Sequence, residues 1–214
     1  ADGLDPTAVD RPFGWPGRRS LKDLRVGYVE ALFTEDRAEK VTQEERKAAV
    51  RESQENDRRT LEEVRALGCT LRPITLPTSV PIGPLGTILA AEAACAFDEL
   101  TRTGKDDTMV RQVVDAWPNV FRQGQMIPAV EYIRANRLRT LLMRAMEEVM
   151  EDVDIYIVPS FGGDNLLLTN LTGHPAVVAP NGFQSSDGTP TSITFQGRLY
   201  GETELLTVAR AWQE

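Results

Sequence analysis

The segment Ile155-Tyr156-Ile157-Val158 is apolar at four consecutive positions and is closed by Pro159. A strand with one face in water alternates apolar and polar residues, whereas a strand without alternation is buried on both faces. This run therefore reads as a strand covered on both faces, the type found inside an α/β sheet. The remainder of the chain offers the partners for such a sheet. Leu24-Arg25-Val26-Gly27-Tyr28-Val29 and Thr70 to Leu76 are short runs of strand type, with a long helix between them. Thr42 and Glu45 predict a capping box at its start, and Gly68 predicts its end. Ala49, Val50, Leu61, Val64 and Leu67 mark its inner stripe. Strand, helix and strand in this order form a βαβ unit, which predicts a parallel pairing.

Further along, Pro77 to Pro84 is a turn region. Leu85, Ile88, Leu89, Ala93, Ala96, Phe97 and Leu100 recur at helical spacing. A short helix is expected near Val110 to Trp117. Pro128 suits the first turn of another helix, whose inner face is marked by Val130, Ile133, Arg137, Leu141, Ala145 and Val149. A short segment follows at Leu166 to Leu171. Ala176 to Ala179 and Thr191 to Phe195 read as two more buried strands, separated by an exposed turn from Pro180 to Pro190. A helix from Glu202 to Trp212 closes the chain. Residues 1–23, crowded with Pro, Gly, Asp and Arg, read as an extended arm arriving from an upstream part, and 24–214 as one domain. The expected class is α/β, with a layered, mixed and mostly parallel sheet flanked by helices.

Charge narrows the partners. A net charge of −8 over 214 residues argues against nucleic acid and anionic membranes, which need clustered Lys and Arg. The arginines between Arg134 and Arg144 are followed at once by acidic residues and read as a solvated helix face. No apolar stretch approaches the roughly 20 residues of a membrane span, and Ala1 to Pro6 is no signal peptide. Cys69 and Cys95 read as buried free thiols, which points to the cytoplasm. One histidine and no cysteine pair leave no metal site to expect.

The C-terminal third carries a recognisable pattern. Asp152-Val153-Asp154-Ile155-Tyr156-Ile157-Val158-Pro159-Ser160 resembles the amidase-signature strand that ends in Pro followed by Ser or Thr. Asn170-Leu171-Thr172-Gly173-His174-Pro175-Ala176, running through a strand to Pro180-Asn181-Gly182, is similar to that family's Asn-x-x-Gly-x-Pro-Ala segment and its Pro-x-Gly end. Gly188-Thr189-Pro190 resembles its closing turn, and Gly201-Glu202-Thr203-Glu204-Leu205-Leu206 its last helix. Upstream, Leu21 to Val29 and Ala66-Leu67-Gly68 are similar to its return strand and Ala-Leu-Gly turn. Two departures bear on substrate class: Thr191-Ser192-Ile193-Thr194-Phe195-Gln196 replaces a Gly-rich apolar strand, and His174 replaces an apolar residue.

The resemblance implies hydrolysis of non-peptide amide bonds, without a cofactor, by a serine activated through a second serine and a lysine. Those residues lie in a Gly-Ser-Ser-Gly-Gly-Ser type of loop, which these 214 residues lack. No catalytic residue is therefore expected here, and the missing N-terminal catalytic half is the expected partner, with a small amide as substrate of the whole. Ser160, Phe161, Gly162 and Thr172 are the expected pocket-wall residues, because ligands gather at strand carboxyl ends. Ser185-Ser186 lacks flanking glycines and a lysine, and reads as a surface turn. A self-contained Ser160/His174 hydrolase would need nucleophile, base and orienter to converge. Glu92 and Asp98 read as satisfied helix polar groups. A catalytically silent amidase-like binding module and the amidase subunit of a tRNA-dependent amidotransferase are the alternatives. The acidic balance and the sequence around Asp164-Asn165 count against the latter. A sheet edge left open by the absent half would permit a homodimer.

Overall fold

The computed structural model describes residues 4–5 and 8–214, with the side chain of Glu45 excluded. The chain divides into two compact units: Ala1–Thr75 with Met150–Ser160 and His174–Glu214, and Leu76–Val149 with Phe161–Gly173.

The first unit is built on a five-stranded sheet. Its strands are β1 (Arg25–Val29), β2 (Thr70–Ile74), β3 (Ile155–Pro159), β4 (Ala176–Phe183) and β5 (Pro190–Gly197), in the order β2-β1-β3-β5-β4. The βαβ expectation holds: β1 pairs parallel with β2, Val26 opposite Leu71, and also parallel with β3, Val26 opposite Ile155. β5 runs antiparallel to both β3 and β4. The sheet is thus mixed. All five residues of β3 are buried, as its apolar run predicts. β4 differs from its expected burial. It forms a sheet edge and leaves Val178 62% exposed. It also extends to Phe183, so the turn is confined to 184–189, where Gln184 N–H bonds Thr189 O at 2.8 Å. The edge strands β2 and β4 carry Pro73 and Pro180, which lack the N–H a further strand would use.

Register fixes which side chains share a face. Val26, Ile155, Ile157, Ile193 and Phe195 join Phe33 of α1 (Glu30–Thr34), Leu61 and Val64 of α2 (Glu44–Ala66), and Leu205 and Val208 of α8 (Glu202–Gln213) in one core. Each such side chain contributes about 1.5–3 kcal/mol by leaving water. Gly27, Tyr156, Thr194 and Gln196 lie on the opposite face.

Helix α2 corrects two expectations. Its N-cap is Gln43, without a side-chain bond, so Thr42 does not cap it; the side chain of Glu45 lies outside the described residues. Of its stripe, Leu61 and Val64 are buried, but Leu67 is 37% exposed. Much of its buried surface is polar instead: Gln54, Asn56, Asp57 and Thr60. Asn56 Nδ2 donates to Thr191 Oγ1 at 2.9 Å, and that hydroxyl donates to Asn181 Oδ1 at 2.7 Å. Asn181 Nδ2 donates to Asp57 Oδ1 at 3.0 Å, and the Arg37 guanidinium closes the chain on Asp57 Oδ2. Burial pushes the Asp57 carboxyl up, with Arg37 opposing. Gly68 ends the helix as expected, at φ +94°. Cys69 is buried, and burial raises its thiol; Cys95 is exposed, contrary to expectation.

The described residues before Leu21 form neither helix nor strand. Arg19 nonetheless ties this segment to the sheet, donating to Asp154 Oδ2 at 3.0 Å. Asp154 also accepts from Arg25 N–H at 2.9 Å and from the Arg25 guanidinium at 3.0 Å. Burial opposes its charge, but the bonds from Arg25 and Arg19 prevail and bring the carboxyl down to about 2.

The second unit is helical: α3 (Gly86–Ala96), α4 (Asp98–Arg102), α5 (Trp117–Gly124), α6 (Ala129–Glu151, to Val149) and α7 (Asn165–Thr172). The single helix expected over 85–100 breaks at Phe97, whose φ −106° and ψ 22° leave the helical range. The helix expected near Val110 to Trp117 begins only at Trp117, where Pro118 suits a first turn. α6 turns a different face inward from the one expected. Ala135, Leu142 and Met146 are buried, whereas Val130, Ile133 and Leu141 are 50–58% exposed. Two apolar stripes run along this helix, and periodicity alone does not rank them.

Two outcomes follow for the sheet unit. Because the folded pKa of Asp154 lies below the ordinary 3.8, its stabilisation is complete above that value and is lost as pH falls toward 2. Asp154→Asn should cost about 1–2 kcal/mol near neutral pH in urea unfolding and should abolish that acid-dependent increment. A Cβ on Gly182 would collide with the side-chain amide of Asn56. Gly182→Ala should therefore lower stability by about 1–3 kcal/mol, and by less when combined with Asn56→Ala.

Candidate functional site

Strand β3 ends at Pro159, and Ser160 follows at the carboxyl edge of the sheet, half-buried. Its hydroxyl is 2.9 Å from the hydroxyl of Thr194, which is 7% exposed on β5. The pairing follows from register: Val158 faces Thr194, so a side chain just past the end of β3 reaches back to it. Two residues on, Gln196 is 1% exposed and donates from Nε2 to the carbonyl of His174 at 3.1 Å, while its Oε1 has no protein partner. Tyr156, opposite Gln196, is fully buried, and burial pushes its phenol far up, so it stays neutral. Ser160, Thr194 and Gln196 thus form a polar row on the sheet face opposite the apolar core.

This arrangement can position a hydrogen-bonding ligand; it does not activate a nucleophile. The Ser160 hydroxyl pairs with another neutral hydroxyl, which is no general base. His174 is 8% exposed.

The other expected wall residues belong to the helical unit. Phe161 is 82% exposed at φ +61°, a left-handed backbone uncommon for an aromatic residue. Gly162 is buried, and its carbonyl accepts from Asn165 N–H at 3.3 Å. Thr172 is 2% exposed, with its hydroxyl donating to Leu168 O at 2.9 Å within α7. Gly173, at φ +83°, caps that helix and explains the glycine of the Asn-x-x-Gly segment.

Ser185 and the two helix carboxylates are engaged by neighbouring protein groups. Ser185 bonds Glu52 of α2 through its N–H at 3.0 Å and its hydroxyl at 3.1 Å. Glu92 accepts from Tyr132 at 2.9 Å, and Asp98 pairs with Arg102 at 2.6 Å. Among the described residues, no group of three or more His, Cys, Asp and Glu is placed to hold a metal ion, and no helix is long and apolar enough to cross a membrane.

Sequence reasoning missed Thr194 and Gln196 as site residues. The signal was present in the alternation Ser192, Thr194, Gln196 against Ile193 and Phe195, but which face is covered is a tertiary matter. It also missed an apolar recess of about 510 Å³ in the helical unit, lined by Leu89, Phe97, Trp117 and Phe121 among others. Phe97 and Phe121 stack there with centroids 5.0 Å apart.

Comparison with known proteins places these features. No protein-family model matches the chain. Among curated proteins, a glutamyl-tRNA(Gln) amidotransferase subunit of Myxococcus xanthus is 26% identical, over 99% of this chain and 50% of that protein. An amidase of Pseudomonas putida is 23% identical over 100% of this chain and 48% of its own length. The chain therefore spans about half the length of these relatives. Among solved structures, a bacterial aryl acylamidase of the amidase signature family superposes with a TM-score of 0.65 at 15% identity, over 89% of this chain and 43% of that one. A protein from a vestigial complex described as revealing the evolutionary origins of an s-triazine catabolic enzyme gives 0.68 at 18% identity, over 100% and 48%. At such identities the structures establish the fold alone.

Replacing the turn serines, Ser185→Ala with Ser186→Ala, removes the Ser185 hydroxyl bond to Glu52 and should lower stability in urea unfolding by no more than about 1 kcal/mol.

In sequence the chain is similar over its whole length to about half of an amidase and of an amidotransferase subunit, and in fold it resembles part of the amidase signature enzymes.

Proposed function

We propose that this chain is the C-terminal part of an amidase, a hydrolase of carbon–nitrogen bonds other than peptide bonds. Its Ser-Ser-Lys chemistry resides in residues outside these 214. The observation that carries this reading is the pattern of coverage: similarity runs through 99–100% of this chain but only 48–50% of the relatives. In this reading the chain contributes the sheet that frames one side of the active site, and is inactive alone. Residues 1–23 are the arm that leads from the catalytic part into 24–214. Ser160, Phe161, Gly162 and Thr172 are proposed as wall residues of a pocket completed elsewhere in the protein, binding a small amide. The setting proposed is the cytoplasm. A homodimer is proposed when the chain is alone, through surface that the absent catalytic part would cover; a monodisperse monomer in light scattering across a wide concentration range would count against it.

A second reading is favoured by the names of several relatives, which are subunits of a glutamyl-tRNA(Gln) amidotransferase. It would make this chain part of a multi-subunit assembly.

The test is expression of the complete open reading frame, followed by a screen with small aliphatic and aryl amides. Ammonia or amine release by the full-length protein, and none by residues 1–214, is expected. Activity appearing only with co-purified partner proteins would favour the second reading. A reading frame that starts near Ala1 and shows no hydrolysis would leave a silent amidase-like binding module.

A further inference from the structure

Ser160 and Thr194 stand apart from the other polar pairs of the sheet unit. Most of those stabilise α2, the hairpin or the segment before β1, and are closed on both sides by other protein groups. The Ser160–Thr194 pair lies at the carboxyl end of β3, and one member is buried while the other reaches the surface. A hydroxyl carries one donor and two acceptor positions. The bond to Thr194 restrains the half-buried Ser160 side chain and occupies only one of the three positions of its hydroxyl. The backbone that carries Thr194 is held in place: Ile193 and Phe195 on either side anchor β5 in the apolar core. An exposed serine without such a partner would populate three rotamers.

We propose that Thr194 is a positioning residue: it orients the Ser160 hydroxyl so that this hydroxyl bonds the carboxamide group of the substrate. This rests on the amidase reading given above. Either hydroxyl of the pair can act as donor. Ser160 can therefore present a lone pair to an amide N–H or its proton to an amide carbonyl. A carboxamide offers both functions side by side, and an ester offers only the acceptor.

The experiment compares steady-state kinetics of the full-length protein carrying Thr194→Val, Thr194→Ser, Ser160→Ala and the double change Ser160→Ala with Thr194→Val, each checked for an unchanged melting profile. Thr194→Val keeps the volume and removes the hydroxyl. It should raise KM for a primary amide about three- to tenfold, the span of one hydrogen bond, with kcat within twofold. Thr194→Ser should restore KM. The double variant should be no worse than Ser160→Ala alone, since both changes remove the same contact. An unchanged KM in Thr194→Val, effects that multiply in the double variant, or a Thr194→Ser variant as impaired as Thr194→Val would each overturn the proposal while leaving the amidase reading intact. Wild-type protein that hydrolyses no amide would instead remove the reading itself, and the proposal with it.

Discussion

The sheet unit depends on how the beginning of β3 is held. Asp154, one residue before the strand, accepts bonds from the backbone and side chain of Arg25 at the start of β1 and from Arg19 before it. Its N–H in turn donates to Arg25 O at 2.8 Å. These contacts fix the parallel register of β1 on β3, and with it the alignment of Val26 with Ile155 and Tyr28 with Ile157. A one-residue slip would carry Ile155 and Ile157 out of step with the apolar side chains beside them. On the far side, Arg198 donates to the carbonyls of Met150 and Val153, so the end of β5 is fastened to the same corner. A buried carboxylate is costly unless it is fully bonded; here the bonds exceed that cost.

A second constraint acts at the opposite edge. The hairpin of β4 and β5 would be a weak element alone, since two strands seldom hold together in water. It is secured by α2, which presents Glu52, Asn56, Asp57 and Arg59 to Ser185, Thr191 and Asn181. This gives the Pro180-Asn181-Gly182 motif a physical basis. Asn181 bridges helix and sheet, and Gly182 leaves the space that the Asn56 amide occupies. Such a network specifies one hairpin position, because a half-satisfied arrangement would leave buried polar atoms without partners.

The candidate site inherits its form from both constraints. β3 delivers Ser160 to the carboxyl edge, and the register of β5 brings Thr194 beneath it. Ser160 was legible beforehand because it follows a buried strand and a proline. Thr194 was visible only as a departure from an apolar pattern. The polar face of α2 was not legible at all, for Asn, Asp and Gln on a helix are ordinarily solvent-facing, and only partners distant in sequence explain their burial: Thr191 and Asn181 for Asn56 and Asp57, and the Glu35 carbonyl for Gln54. The exposed stripe of α6 erred in the opposite sense: Val130, Ile133 and Leu141 have the spacing of a core face, yet the helix buries Ala135, Leu142 and Met146.

Local patterns by themselves determined the five strands, the βαβ pairing, the long helices and the absence of a catalytic serine loop from these residues. Each follows from properties that depend on near neighbours: apolar runs, turn-forming residues and the stiffness of proline. Tertiary structure alone decided that β5 lies between β3 and β4, that β4 is an edge, which stripe of α6 turns inward, and that Thr194 meets Ser160. These depend on pairings between residues far apart in the chain, where the energy of a contact belongs to two segments at once and cannot be read from either.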